Sequence, residues 1–177
     1  MRRRILSVRR ATPPAVRAAA SARICAQLLR TAELSRAKCV AAFAPTDEET
    51  DIRPLLDECR RAGKQIALPR VCGPRRMTFH FVSADAAPLM RAGRENILQP
   101  PADFPAAPPH LFDFAIIPAV AVDSRRFRLG YGGGFYDTLL SDMRFTAFSC
   151  AAVFRCQRIA ETPVEKHDRR VDMVISE

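Results

Sequence analysis

The chain has 177 residues, which is enough for one domain with a buried core, and its 48% hydrophobic content excludes global disorder. No apolar run approaches the roughly 18 to 20 residues needed to cross a bilayer, and the basic N-terminus has too short an apolar part for a secretory signal. We therefore expect a soluble, cytoplasmic protein. The 28 basic and 19 acidic residues give a net charge of +9, which favours an anionic partner such as nucleic acid, a nucleotide or a polyglutamylated cofactor.

The first half of the chain alternates between helix and strand patterns. Thr12 is predicted to cap a helix that begins at Pro13, with Val16, Ala20, Ile24 and Leu28 forming one apolar stripe. The apolar run KCVAAFAP predicts a buried strand. TDIRPLLDECRRAG predicts a second helix, with a proline in its first turn and a closing glycine at position 63.

The second half continues the alternation. KQIALPRV, FDFAIIPAVAV, SCAAVF and VDMVIS predict buried strands, and MTFHFV predicts a half-buried one. The proline-rich stretch QPPADFPAAPPHLF is interpreted as a surface connection, and FYDTLLSDM as the opening of a helix. This order favours a single α/β domain over residues 1–177: three layers, with a largely parallel sheet and helices on both faces. The six cysteines form no C-x-x-C pair and are interpreted as buried thiols in a reducing compartment.

The stretch RLGYGGGFYD, residues 128–137, holds four of the seven glycines. It follows the most apolar predicted strand, where α/β sheets place their ligands. It matches neither the P-loop nor the dinucleotide-binding pattern, because no Lys-Ser/Thr pair follows it and Phe135 stands where the third glycine would be. One interpretation is a tight turn that packs against the sheet.

The other interpretation is a cradle for a metal-bound triphosphate. Gly132, Gly133 and Gly134 can turn successive N–H groups to one concave face, and a helix starting near Phe135 adds its positive N-terminal end. Arg128 supplies a fork of donors suited to phosphate oxygens, and Asp137 a hard oxygen ligand for Mg²⁺.

These residues resemble the 5-formyltetrahydrofolate cyclo-ligase family, also called 5,10-methenyltetrahydrofolate synthetases. The resemblance lies in IIPAVAVDSRRFRLGYGGGFYD, and in RRATPPAVRAAAS, EETDIRPLL, GKQIALPRV and the closing CQRIAETPVEKHDRRVDMVISE. It implies that ATP and Mg²⁺ drive conversion of 5-formyltetrahydrofolate to 5,10-methenyltetrahydrofolate with release of ADP and phosphate. Its implied partners are ATP and the folate, with or without a polyglutamate tail, and neither nucleic acid nor a membrane; we expect a monomer or a weak homodimer.

The resemblance also implies roles for individual residues. Arg2 and Arg128 would be the catalytic cations. ATP would be held by Arg2 and by the run Arg128, Leu129, Gly130, Tyr131, Gly132, Gly133, Gly134, Phe135 and Tyr136. The folate would contact Ala44, Glu49, Tyr131, Gly132, Gly133, Gly134 and Phe135. Mg²⁺ would be bound by Asp137 and Asp168. The family's N-terminal lysine has no counterpart here, so Arg3 or Arg4 is expected to replace its charge.

Each role has a structural alternative. Arg2–Arg4 is more typical of a flexible tail, so flexibility of residues 1–10 stays open. Glu49 can belong to a solvated acidic run, Asp168 can pair with neighbouring arginines, and Asp123 can cap the turn before the glycines. Two other functions stay open for the whole chain: a nucleic-acid-binding module, disfavoured by the absence of Trp and by only two Tyr, and a sugar-phosphate or acyl-transfer enzyme on a related scaffold.

Overall fold

Helices and strands alternate along the chain. The computed structural model describes residues 1–74, 76–83, 90–92, 97–143 and 147–177. The helices are α1 (Arg2–Ala11), α2 (Pro14–Leu29), α3 (Ala32–Arg36), α4 (Arg53–Arg61) and α5 (Phe135–Asp142), with short 3₁₀ helices at Pro109–Leu111 and Arg155–Gln157. The strands are β1 (Cys39–Ala41), β2 (Gln65–Gly73), β3 (Arg76–Phe81), β4 (Met90–Ala92), β5 (Ile97–Gln99), β6 (Phe114–Ile117), β7 (Ala121–Val122), β8 (Arg128–Leu129), β9 (Phe148–Ala152) and β10 (Met173–Ile175).

A six-stranded sheet in the order β10-β9-β6-β1-β2-β3 forms the centre of the fold. Every neighbouring pair is parallel except β2 and β3, which are antiparallel. The α/β class with a largely parallel sheet is therefore confirmed. The inner strands β1 and β6 are buried at every residue, as strands covered on both faces must be.

The two faces of the sheet bury different residues because side chains alternate along each strand. One face packs against α2 and α4 through the strand residues Val40, Ile66, Leu68, Phe114, Ile116, Cys150 and Ala152. The opposite face packs against Leu139 of α5 through Cys39, Ala41, Ala67, Phe79, Ala115, Ile117 and Ala151. Helices therefore cover both faces. The strands are apolar at nearly every position because both faces are buried.

Helix α1 occupies the segment for which flexibility had stayed open. Ile5 is buried against Val120 and Ala121, and Arg9, one helical turn later, is only 3% exposed. The helix also packs on the 3₁₀ helix at Arg155–Gln157. One face of α1 is thus attached to the domain, which an exposed basic tail would not be.

The predicted start of the next helix was wrong by one residue. Pro14, not Pro13, is its first residue, and Thr12 ends α1 by donating its hydroxyl to the carbonyl oxygen of Val8 at 3.1 Å. The predicted stripe is buried at Ala20, Ile24 and Leu28, but Val16 is 51% exposed because it lies before the helix reaches the core.

The predicted strand FDFAIIPAVAV is two strands. β6 ends at Ile117, before Pro118, which has no N–H to donate to a ladder. The chain then forms the hairpin of β7 and β8, in which Ala121 pairs with Leu129 and Val122 with Arg128. This hairpin carries the glycines away from the sheet and toward α1. Among the described residues, no helix is long and apolar enough to cross a membrane.

Candidate active site

The glycine loop, residues 130–134, connects β8 to α5. Gly132 and Gly134 have φ of +102° and +69°, which side chains with a Cβ rarely adopt, and Gly134 is the N-cap residue of α5. A Cβ on Gly133 would lie 2.5 Å from the Phe135 ring. The loop therefore requires glycine at three consecutive positions, and it ends where the dipole of an eight-residue helix is positive.

Arg128 and Asp137 flank this loop and form an ion pair. Nη2 of Arg128 donates to Oδ1 of Asp137 at 2.6 Å, and the two side chains are 3% and 17% exposed. The backbone N–H of Arg169 donates to the same oxygen at 3.1 Å. Arg128 is thus a buried residue that holds the first turn of α5, and no hydrogen-bond partner for its Nε lies in the described part of the chain.

Asp168 reaches the start of α5 through this same contact, because it precedes Arg169. Its Oδ2 accepts from the backbone N–H of Glu165 at 2.7 Å, and its side chain is 23% exposed. Asp168 is therefore held by its own turn. Within the described residues its nearest basic partner is not an arginine but His167, whose Nε2 lies 3.9 Å from Oδ1. The structure brings the two predicted metal ligands, Asp137 and Asp168, to one end of α5.

Helix α1 places Arg2 against the glycine loop. Nε of Arg2 donates to the carbonyl oxygen of Gly130 at 2.8 Å, and its guanidinium lies about 3.8 Å from where a Cβ of Gly132 would be. Arg3 and Arg4, which follow on the same helix, are exposed. Of the three arginines, Arg2 is the one whose contacts with the loop are defined.

Glu49 lies on the other side of the loop and is held at both carboxylate oxygens. Thr46 donates its backbone N–H and its hydroxyl to Oε2 at 3.0 and 3.1 Å. The hydroxyl of Tyr131, in the glycine loop, donates to Oε1 at 2.7 Å. Burial and the negative charge of Glu49 raise the pKa of Tyr131, so this hydroxyl keeps its proton and remains the donor.

A small pocket opens beside Glu49, at the carboxyl ends of the central strands, where such sheets bind ligands. Its lining atoms leave about 170 Å³ when the adjoining open solvent is counted, but no room for an enclosed water molecule. Its apolar walls are Phe43, Pro118, Ala119 and Ala152. Its polar lining is Arg9, Glu49, Thr50 and Gln157. Ala44, expected at the folate, directly follows the wall residue Phe43 and is buried.

The remaining predicted site residues surround the glycine loop. Leu129 precedes it in β8, and Phe135 and Tyr136 open α5, all three partly exposed. Tyr136 packs against the cores on both faces of the sheet. The predicted site residues therefore lie near one another in the fold, although they come from four separate segments.

Sequence reasoning missed Arg9, which is a second buried arginine of this site. Its Nη2 donates to the Tyr131 hydroxyl at 2.9 Å, so Arg9, Tyr131 and Glu49 form a hydrogen-bonded chain. Arg2, Ile5 and Arg9 recur at helical spacing of three and four, and that pattern could have indicated one shared, inward face.

Asp123 has the capping role that was one of its two readings. Its Oδ1 accepts from the N–H of Phe127 at 3.0 Å, and its Oδ2 accepts from Arg125 and from the N–H and hydroxyl of Thr162. Burial alone would raise the pKa of Asp123, but the hydrogen bonds from Thr162, Arg125 and Phe127 outweigh it and lower that pKa. Asp123 thus fixes the β7–β8 turn that presents the glycine loop.

Known proteins resemble this chain along its whole length. The model of the 5-formyltetrahydrofolate cyclo-ligase family matches residues 1–177. The 5-formyltetrahydrofolate cyclo-ligase of Escherichia coli K12 is 32% identical over 77% of this chain and 76% of its own. That of Mycolicibacterium smegmatis is 28% identical over 99% and 91%. The NMR structure of Aquifex aeolicus 5,10-methenyltetrahydrofolate synthetase is 27% identical with a TM-score of 0.83, over 98% of this chain and 86% of that one.

Proposed function

The chain belongs to the 5-formyltetrahydrofolate cyclo-ligase family, and on that premise we propose that it is an ATP- and Mg²⁺-dependent enzyme that converts 5-formyltetrahydrofolate to 5,10-methenyltetrahydrofolate. The single observation that carries the site assignment is the position of the glycine loop. Gly130 accepts from Arg2, the proposed phosphate-binding cation, and Tyr131 donates to Glu49, the proposed pterin-binding carboxylate. One loop therefore joins the expected positions of both substrates.

The reaction must activate a poor leaving group. The formyl group on N5 is an amide, so its oxygen leaves only after the γ-phosphoryl group of ATP is transferred to it, with release of ADP. N10 then attacks the formyl carbon and gives up its proton, and the C–O bond breaks to release phosphate as the ring closes. Such a path needs alignment and charge stabilisation more than a protein nucleophile.

The residues around the loop suit these two tasks. The backbone N–H groups of the glycine loop and the N-terminus of α5 would bind the phosphates, with no Cβ to keep them away. Arg2 would neutralise negative charge on the transferring group, because it is an exposed cation that contacts the loop. Arg128 would act indirectly, by holding Asp137 and the first turn of α5 in place.

The donor set at the end of α5 fits Mg²⁺. Asp137 has one oxygen bound to Arg128 and Arg169, which leaves Oδ2 for a cation, and Asp168 provides a second hard oxygen donor nearby. Among the described residues, no group of three or more His, Cys, Asp or Glu side chains could hold a metal. Mg²⁺ would therefore complete its shell with water and phosphate oxygens, as it usually does. When bound, it would neutralise charge on the phosphates.

The direct test is to mix the protein with 5-formyltetrahydrofolate and Mg-ATP and to follow the near-ultraviolet band of the methenyl product. We expect product only when all three are present, and loss of product when a chelator removes Mg²⁺. Absence of the band in the complete mixture would refute the proposed activity.

A melting experiment separates the other function classes. Mg-ATP should raise the melting temperature, since a ligand that binds the folded state stabilises it. Stabilisation by single-stranded RNA alone would favour a nucleic-acid-binding module, and stabilisation by ribose phosphate alone a sugar-phosphate enzyme. We also propose a cytoplasmic location, supported by free thiols that suit a reducing compartment. Cys25, Cys59 and Cys150 are buried as expected, whereas Cys156 is partly exposed and Cys72 is exposed, so the expectation of burial was wrong for these two.

A further inference from the structure

Arg9 is a charged side chain in an unusual position. It is 3% exposed, and its Nε is a buried donor for which the described residues supply no acceptor. Buried N–H groups without a partner are rare in folded proteins because each one carries the cost of its lost hydration. Arg9 also lines the pocket beside Glu49, so a molecule in that pocket could accept from it.

The other polar groups of the pocket are already committed. Thr50 donates its hydroxyl to the carbonyl oxygen of Ala152 at 3.1 Å. Gln157 donates its amide to the carbonyl oxygens of Ala119 and Val120, while its own oxygen accepts from the N–H of Phe154. Among the described lining residues, Arg9 therefore offers a ligand an unpartnered N–H, and Glu49 offers carboxylate oxygens that already accept from Thr46 and Tyr131.

The charges around Arg9 favour a neutral acceptor over an anion. The carboxylate of Glu48 lies 3.9 Å from Arg9 and 2.7 Å from Arg10, and Arg9 shares the Tyr131 hydroxyl with the carboxylate of Glu49. A phosphate or carboxylate in the pocket would be repelled by the carboxylates of Glu48 and Glu49, whereas the uncharged carbonyl of a ring would not be.

The walls of the pocket point to an apolar ring. Phe43, Pro118, Ala119 and Ala152 form its apolar sides, and the space between them does not admit a water molecule. The ring end of a larger substrate would therefore enter by moving these walls apart. A pterin presents N–H donors and a carbonyl acceptor along one edge, which matches Glu49 and Arg9.

We propose that Arg9 determines specificity for the pterin ring, with its Nε–H donating to the 4-oxo group while Glu49 accepts from the neighbouring ring N–H and amino groups. This inference rests on the proposed function, since it takes 5-formyltetrahydrofolate as the substrate. Arg9 is also a positioning residue, because its bond to the Tyr131 hydroxyl orients the group that holds Glu49.

The test compares two ligands on two proteins. Affinities for 5-formyltetrahydrofolate and for its 4-amino analogue, which lacks the carbonyl acceptor, are measured by calorimetry without ATP on the full chain and on Arg9→Met. We expect Arg9→Met to weaken the binding of 5-formyltetrahydrofolate by about 10- to 100-fold, which is the range of a hydrogen bond to a charged group. The affinity for the analogue should change by less than about threefold. Comparing the two ligands on the two proteins gives the interaction energy between Arg9 and the carbonyl group, because effects common to both ligands cancel.

Arg10→Met is the matched control, since the neighbouring arginine is 72% exposed and pairs with the same Glu48. It should retain the preference for the 4-oxo ligand. If Arg9→Met does not fold, as judged by its melting curve, Arg9→Lys replaces it, because lysine keeps the charge but places no donor at Nε.

Two results would overturn the inference. Equal losses of affinity for both ligands would show that Arg9 has only a structural role. Unchanged affinities for both ligands would show that Arg9 does not contact the ring. Turnover of the unmutated protein separates this failure from failure of the proposed function. If that protein makes methenyl product and Arg9→Met keeps the preference, only the role of Arg9 falls; if it neither binds nor converts the folate, both proposals fall.

Discussion

Arg128 and Asp137 stand at opposite ends of the glycine loop and meet in an ion pair of 2.6 Å. The pair closes the base of the loop, so the five residues between Leu129 and Phe135 project as a unit toward Arg2 and Glu49. Asp137 therefore has two tasks in our proposal: one oxygen holds Arg128, and the other is available to Mg²⁺. The two tasks can be separated by substitution.

We expect Asp137→Asn to fold and to lose about 100-fold or more in turnover, because an amide oxygen can still accept from Arg128 but does not match a carboxylate as a Mg²⁺ ligand. Asp137→Ala should in addition destabilise the protein by about 3–5 kcal/mol, since it removes the acceptor as well as the charge and leaves Nη2 of the buried Arg128 without its partner. Thermal melting and the product assay over a range of Mg²⁺ concentrations measure both effects. Asp142→Asn, in the exposed last turn of α5, is the control. Turnover of Asp137→Asn near that of the control would contradict the metal assignment.

Gly133→Ala should disrupt the loop through a single steric contact. The added Cβ would lie 2.5 Å from the Phe135 ring, so the loop or the ring must move, and we expect weaker ATP binding by about tenfold or more. Gly133→Ala combined with Phe135→Ala should recover part of the ATP affinity, because the clash is then absent. Gly63→Ala, at a positive φ beyond α4, should cost about 1–2 kcal/mol of stability and leave ATP binding unchanged. ATP affinity from titration checks all three; no recovery in the double variant would show that the clash is not the cause.

The sheet could be predicted from the sequence because its strands are apolar at nearly every position, a pattern that depends on local residue type. Runs such as Phe114–Ile117 need no knowledge of their neighbours to be recognised as buried. The glycine loop could be found in the same way, since Gly132 to Gly134 are concentrated where the rest of the chain has few glycines.

The placement of charged side chains could not be predicted, because it depends on distant partners. Arg2 meets Gly130 across 128 positions of the chain, and Arg9 meets Tyr131 across 122. Helical spacing groups Arg9 with Ile5 and separates both from Arg10, but the burial of Arg9 depends on the docking of α1 on Val120 and Ala121. The burial of Arg128 likewise depends on the partner that α5 brings to it.

Acid should remove the contribution of Asp123 to stability. Hydrogen bonds lower the pKa of this carboxyl in the folded protein, so its stabilising effect is present above the unfolded value of about 3.9 and is lost as the pH falls through the folded value. Asp123→Asn should therefore be less stable than the unmutated protein at pH 7 by about 2–4 kcal/mol, and the gap should narrow below about pH 4. Denaturant unfolding at several pH values measures the gap. A gap independent of pH would mean that packing, not the carboxylate charge, stabilises the turn.

The three neighbouring arginines of α1 allow a matched test of phosphate binding. All three are exposed, and Arg2 donates to the carbonyl oxygen of Gly130 and lies beside Gly132. We expect Arg2→Ala to lower kcat/KM for ATP by about 10- to 1,000-fold, because it removes a cation beside the transferring phosphoryl group. Arg3→Ala and Arg4→Ala each remove the same charge from the same helix. Each should change kcat/KM by less than about threefold, as removal of a screened surface charge does. Steady-state kinetics with ATP varied at saturating folate gives the comparison, and circular dichroism checks that α1 persists in each variant. A larger loss in the Arg3 or Arg4 variant would instead assign to that residue the cation that this site requires.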